Sequence, residues 1–161
     1  MKVVQTRVIG IGQPAAGDDH VGIAVARALR AQTIPAGVDI HEITDVARLV
    51  DLFEGIQRAI LIDAVVSDNR PGNIKCLTLE DLESDPATPL SSHGMSVTDA
   101  IGFVHVLVPA ATSCDIHIIG ITIEPPSRYA HAMSDPVAAA VPRAADLINN
   151  LLKDHETLSC V

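Results

Sequence analysis

The chain has 161 residues, of which 48% are hydrophobic and only 2% aromatic, and its formal net charge is −9. That length fits one domain spanning residues 1–161, with a sizeable core and no room for a second catalytic unit. Twenty acidic residues against 11 basic ones, with no basic cluster, argue against a nucleic-acid partner, and no segment approaches the ~20 apolar residues of a membrane span.

With so few aromatic residues, the core must be built from Val, Ile, Leu and Ala, a composition suited to a buried parallel sheet. The amino-terminal run MKVVQTRVIGIG enters a strand pattern directly, without the apolar region and cleavage site of a signal peptide. Cys76, Cys114 and Cys160 are scattered and odd in number, and a reducing compartment is the simplest reading of them. A cytoplasmic protein is expected.

In chain order, a strand from Val3 to Ile11 is followed by a helix from Val21 to Ala31, a strand from Val38 to Ile43, a helix from Val46 to Phe53, and a strand from Ala59 to Val66. The alternation predicts an α/β fold with a mostly parallel sheet. Asp18 or Asp19 stands where the first helix would be capped. The turn signal Asp68-Asn69-Arg70-Pro71-Gly72 is too short to hold a crossover helix, so a fourth strand from Ile74 to Leu79 should run antiparallel to its predecessor, at an edge. Glu80 to Pro89, acidic and twice interrupted by proline, reads as a loop. Ser96-Val97-Thr98-Asp99 matches a capping box and opens a helix through Ile101, Val104 and Leu107. Ile116 to Ile123 is the last strand. Ser134-Asp135-Pro136 opens a terminal helix that Pro142 should kink rather than end, because the apolar period continues past it.

The loop from Gly10 to Gly17 lies where a dinucleotide fold binds phosphate, but its spacing is wrong: Ala15 stands where the fingerprint needs a third glycine. Asp18 and Asp19 would also place negative charge where an anion should bind. The loop makes better sense as a cation holder, at the carboxyl end of a central strand where α/β sheets assemble their sites. Asp63 ends the third strand in the same way, and an acid in so apolar a strand is costly unless paired or metal-bound. Capping of a neighbouring backbone group explains it equally well. His93, in Ser91-Ser92-His93-Gly94, sits on a loop before a capped helix. For His20, His41, His105, His117, His131 and His155 a surface or hydrogen-bonded role is the default. Asp19, Asp63 and His93 together would make a one-imidazole, two-carboxylate set suited to zinc or nickel. Ser91, Ser92 and Ser96 lie near His93, yet no Gly-x-Ser-x-Gly elbow exists.

As an ordered set, these motifs resemble the hydrogenase-maturation endopeptidases. The resemblance runs from Gly10-Ile-Gly-Gln-Pro-Ala-Ala-Gly-Asp-Asp-His-Val-Gly22 through Ile62-Asp63-Ala64, Pro71-Gly72, Ser91-Ser92-His93-Gly94 and Ile119-Gly120-Ile121. It ends in Met133-Ser134-Asp135-Pro136-Val137 with Ala140-Val141-Pro142. Gln13 replaces the usual Asn, Asp19 is the shorter of the two acids found at its position, and His20, expected to face water, replaces a common Gly. The resemblance implies a three-layer fold: a twisted, mostly parallel five-stranded sheet, its fourth strand antiparallel, between helices. It also implies metal binding and catalysis by Asp19, Asp63 and His93, with nickel supplied by the substrate and zinc or cadmium as alternative occupants. The implied partner is the precursor of a NiFe hydrogenase large subunit, whose C-terminal extension a monomeric enzyme removes. A metal- or precursor-binding chaperone that docks without cutting is the alternative.

Overall fold

The computed structural model describes residues 5–67, 70–84, 95–126 and 131–154. Five strands form one sheet: β1 (Thr6–Ile11), β2 (Val38–Ile43), β3 (Arg58–Val66), β4 (Ile74–Thr78) and β5 (Asp115–Ile123), in the spatial order β2-β1-β3-β5-β4. Neighbouring pairs among β2, β1, β3 and β5 are parallel, and β4 joins the edge antiparallel to β5. β4 is thus antiparallel to β3, as expected, although β5 lies between the two.

Strand alternation assigns the two faces. Val8, Ile60, Ile62, Ile119 and Ile121 pack against α1 (Val21–Arg30) and α5 (Asp135–Lys153). On the other face, Ile9, Leu61, Val65 and Ile118 pack with residues of α2 (Leu49–Leu52) and α4 (Val97–Leu107). The largest fully buried side chains are, apart from Phe53, all Ile or Leu, so aliphatic branching fills the core that aromatic residues would otherwise fill.

Local chemistry sets the element boundaries. The Ser96 hydroxyl accepts from the Asp99 N–H at 3.0 Å while Asp99 accepts from the Ser96 N–H, the reciprocal box expected at the start of α4. α5 continues through Pro142 to Lys153. The segment read as a loop from Glu80 is instead helical in its first part, α3 (Leu79–Ser84). Its start is a second capping box: Asp81 accepts from the Thr78 N–H at 2.7 Å, and Thr78 Oγ1 accepts from the Asp81 N–H at 3.2 Å. The rest of that segment lies outside the described residues. Between Val46 and Phe53 the expected helix divides into a 3-10 turn, Val46–Arg48, and the short α2.

Cys114 is a free thiol, whereas Cys76 in β4 is disulfide-bonded, which departs from the simplest reading of the cysteines. Among the described residues no helix is long and apolar enough to cross a membrane.

Candidate active site

The loop after β1 and the end of β3 meet because of register. Gly10 of β1 pairs with Ile62 of β3, so the chain leaving β1 passes beside Asp63. It turns back through Ala15 and Gly17, both at positive φ, into the 3-10 turn Gly17–His20, which leads directly into α1. The start of α1 is pressed against the strand ends: a Cβ on Gly22 would collide with the Ile11 and Ile62 carbonyl oxygens. Gln13 braces the loop from the other side, its Nε2 donating to the Thr44 carbonyl oxygen at 2.6 Å. The longer amide thus reaches across to the loop after β2.

Asp63 is 4% exposed. Its Oδ1 accepts from the Ala64 N–H at 2.8 Å, so the backbone-capping role weighed for it is real but uses one oxygen. Oδ2 is buried and has no hydrogen-bond partner among the described residues. Burial pushes this carboxyl well above the ordinary Asp range; the Ala64 N–H opposes that shift, and the negative charge of Asp19 adds to it. Asp19, in the 3-10 turn, is partly exposed. The structure therefore brings Asp19 and Asp63 within electrostatic reach of one another, while His93 lies outside the described residues.

Asp18 does not cap its own helix. Its two carboxylate oxygens accept from the backbone N–H and the hydroxyl of Ser134, at 2.6 and 2.9 Å. Nothing in the sequence announces this contact, since the two residues are 116 positions apart and a serine before a helix is explained by capping alone. His20 is half-buried, and its Nδ1 is buried without a hydrogen-bond partner among the described residues. His41 hydrogen-bonds Asp39 at 3.1 Å, the role expected of it, whereas His117 lies 2.8 Å from Asp115 without hydrogen-bond geometry, its buried Nε2 having no hydrogen-bond partner among the described residues. The Ser96 hydroxyl is committed to its capping box, which removes it from the candidate nucleophiles.

Two neighbouring carboxyls, one of them buried, can divide acid and base roles. Alternatively, they can jointly hold a cation, which would satisfy the orphaned Oδ2.

A family model described as hydrogenase maturation protease matches residues 23–151, a span that includes Asp63 and begins just after Asp19. Protein FrxA of Pyrococcus furiosus is 28% identical over 142 residues, which cover 87% of this chain and 99% of the relative. The solved NiFe hydrogenase maturation protease HybD from Thermococcus kodakarensis superposes with a TM-score of 0.78 at 26% identity, covering 92% of this chain and 99% of that one. The hydrogenase maturating endopeptidase HybD from E. coli shares the fold, with a TM-score of 0.72 at 18% identity over 92% of each chain. These likenesses favour a protease over a docking chaperone. The chain belongs to the hydrogenase maturation protease family and is an endopeptidase of hydrogenase maturation.

Proposed function

We propose that this endopeptidase removes the C-terminal extension of a NiFe hydrogenase large-subunit precursor in which nickel is already inserted, and that Asp19, Asp63 and His93 read the metal before the cut. The observation that carries this reading is the buried Oδ2 of Asp63, without a hydrogen-bond partner among the described residues and with a second carboxylate's charge bearing on Asp63. Evolution tolerates such a group in an apolar strand when something charged completes it. A divalent cation fits the donor set of two carboxylates and one imidazole, whether nickel, zinc or cadmium.

In this reading nickel belongs to the substrate, not to the enzyme, and reaches the site within the precursor. When bound there it supplies positive charge beside the scissile carbonyl or lowers the pKa of an attacking water. The chain's own residues do the rest. Asp63 and Asp19 offer their carboxylate oxygens to the same centre, and the junction of β1, β3 and α1 fixes both.

We further propose that the enzyme acts as a monomer in the cytoplasm. The Cys76 disulfide is the observation that runs against a reducing compartment, and alkylation of freshly isolated protein tests it: a Cys76 thiol that reacts at once restores the simpler reading.

The decisive experiment incubates purified protein with nickel-loaded and nickel-free precursor and follows the intact mass of the subunit. Loss of a C-terminal peptide from the loaded form alone is expected. Equal cleavage of both forms would overturn the metal-reading mechanism while leaving the protease intact. His93→Ala and Asp19→Asn are expected to abolish cleavage with circular dichroism unchanged.

A further inference from the structure

The first turns of α5 touch two of the loops around the candidate site. Asp18 holds Ser134, the N-cap residue of α5, through both of its carboxylate oxygens. Further along, the Pro136 carbonyl lies so close to Gly72 that a Cβ there would collide with it, and Arg143 donates to the Gly72 carbonyl oxygen at 2.8 Å. Behind these contacts α1 and α5 share one core, with Val25, Leu29, Ala140 and Ala144 all buried in it. The start of α5 is therefore a fixed post.

Two consecutive acids are used differently. Asp19 bears electrostatically on Asp63, whereas both oxygens of Asp18 are spent on Ser134. The 3-10 turn that carries the pair has no side-chain cap at its N-cap, and this clasp ties it to α5. A carboxylate at the N-terminus of a long helix also gains from the helix dipole, which strengthens the tie.

We infer that Asp18 is a positioning residue for the cleavage reaction: by clasping Ser134 it fixes the 3-10 turn to α5 and so holds the Asp19 carboxylate in place beside Asp63. The inference rests on the site reading above, in which Asp19 and Asp63 carry the chemistry. It requires the hydrogen bonds between Ser134 and the residue at position 18, not the negative charge of Asp18. An asparagine at this position preserves them, since Oδ1 can accept the Ser134 N–H while Nδ2 donates to the Ser134 hydroxyl. A misplacement of ~1 Å at a reacting group costs on the order of 100-fold in rate.

The test measures kcat and KM for a nickel-loaded large-subunit precursor that the wild-type enzyme cleaves. Asp18→Ala is expected to lower kcat by about 10- to 100-fold, the scale of such a misplacement, with KM nearly unchanged. Asp18→Asn restores most of that loss. Ser134→Pro attacks the clasp from its other end: Ser134 has φ −66°, which proline adopts, and the substitution deletes both donors without touching the acidic loop. It should reproduce the Asp18→Ala kcat, and combining the two should cost no more than either alone.

Wild-type kcat in Asp18→Ala would overturn the inference. So would an Asp18→Asn as inactive as Asp18→Ala beside a fully active Ser134→Pro, because Asp18 would then act through its charge. Should circular dichroism show Asp18→Ala unfolded, the kcat of Ser134→Pro decides. Asp19→Asn is run alongside: an inactive Asp19→Asn with an unaffected Asp18→Ala sinks the positioning role alone, whereas a fully active Asp19→Asn sinks the site reading and this inference with it.

Discussion

Asp63 of β3 stands in register with Gly120 of β5, so β5 places no side chain directly opposite the buried carboxyl. Its pKa is raised, first by burial, against the Ala64 N–H, with the Asp19 charge adding to the rise. The folded state then keeps a proton that the unfolded chain has lost, and stability falls as pH climbs from the ordinary Asp range to the raised folded value. Asp63→Asn removes that slope. The variant should lose cleavage yet unfold harder than wild type at neutral and alkaline pH, by about 1.4 kcal/mol for each unit by which folding raises the carboxyl's pKa, less the cost of its own unpartnered amide N–H groups. The advantage should close in acid. Denaturant titrations across pH check this, and an Asp63→Asn less stable than wild type at neutral pH would show that the carboxylate is satisfied after all.

Gly120 keeps the same face open for Val65. A Cβ at position 120 would come within 2.6 Å of Val65 Cγ2, and Val65 is fully buried. Gly120→Ala should therefore destabilise by ~1–3 kcal/mol through overpacking. Val65→Ala makes room for the new methyl, so the double variant should be more stable than the sum of the two single losses, as read from chemical denaturation. Strict additivity would place the strain elsewhere.

Two capping boxes open helices on the same side of the sheet, and losing the N-cap hydroxyl of either should lower the melting temperature by about 2–4 °C in a chain of this size. Ser96→Ala and Thr78→Ala thus have equal expected effects, and differential scanning calorimetry compares them. No shift for Thr78→Ala would mean that α3 is held by its contacts with the core, through Leu82, and not by its cap.

The comparison of those boxes shows what the sequence could disclose. Ser96-Val97-Thr98-Asp99 precedes a clean apolar period and is read at once, whereas Thr78-Leu79-Glu80-Asp81 sits at the end of a strand and runs into acids and prolines that mask a two-turn helix. The strands were legible because β2 and β3 are continuous apolar or alternating runs between turn residues. Strand order was legible only as far as direction: that β5 inserts between β3 and β4 depends on long-range packing with no local trace. At the site, Asp63 stood out as an acid in a buried strand and Asp19 as a charge in an anion-binding position. The Asp18 to Ser134 clasp was invisible, because it depends on how α1 and α5 dock and not on local spacing.

Cys114 offers a final discrimination between metal-centred and thiol chemistry. It precedes β5 at the end where Asp115 pairs with Arg58, the first residue of β3, which is the opposite end of the sheet from Asp63. Burial and then the Asp115 charge push the thiol up to about 11, against a hydrogen bond from the Ala59 backbone. A thiol with that pKa is ionised in roughly one molecule in ten thousand at neutral pH, too rarely for a poised nucleophile. Iodoacetamide should therefore label Cys114 slowly at neutral pH and about tenfold faster for each unit of rise below its pKa, since only the thiolate reacts. Cys114→Ser should cleave precursor at the wild-type rate. Rapid labelling at neutral pH that extinguished cleavage would instead make the cysteine the reacting group, and the carboxylate pair at the far end of the sheet would need another purpose.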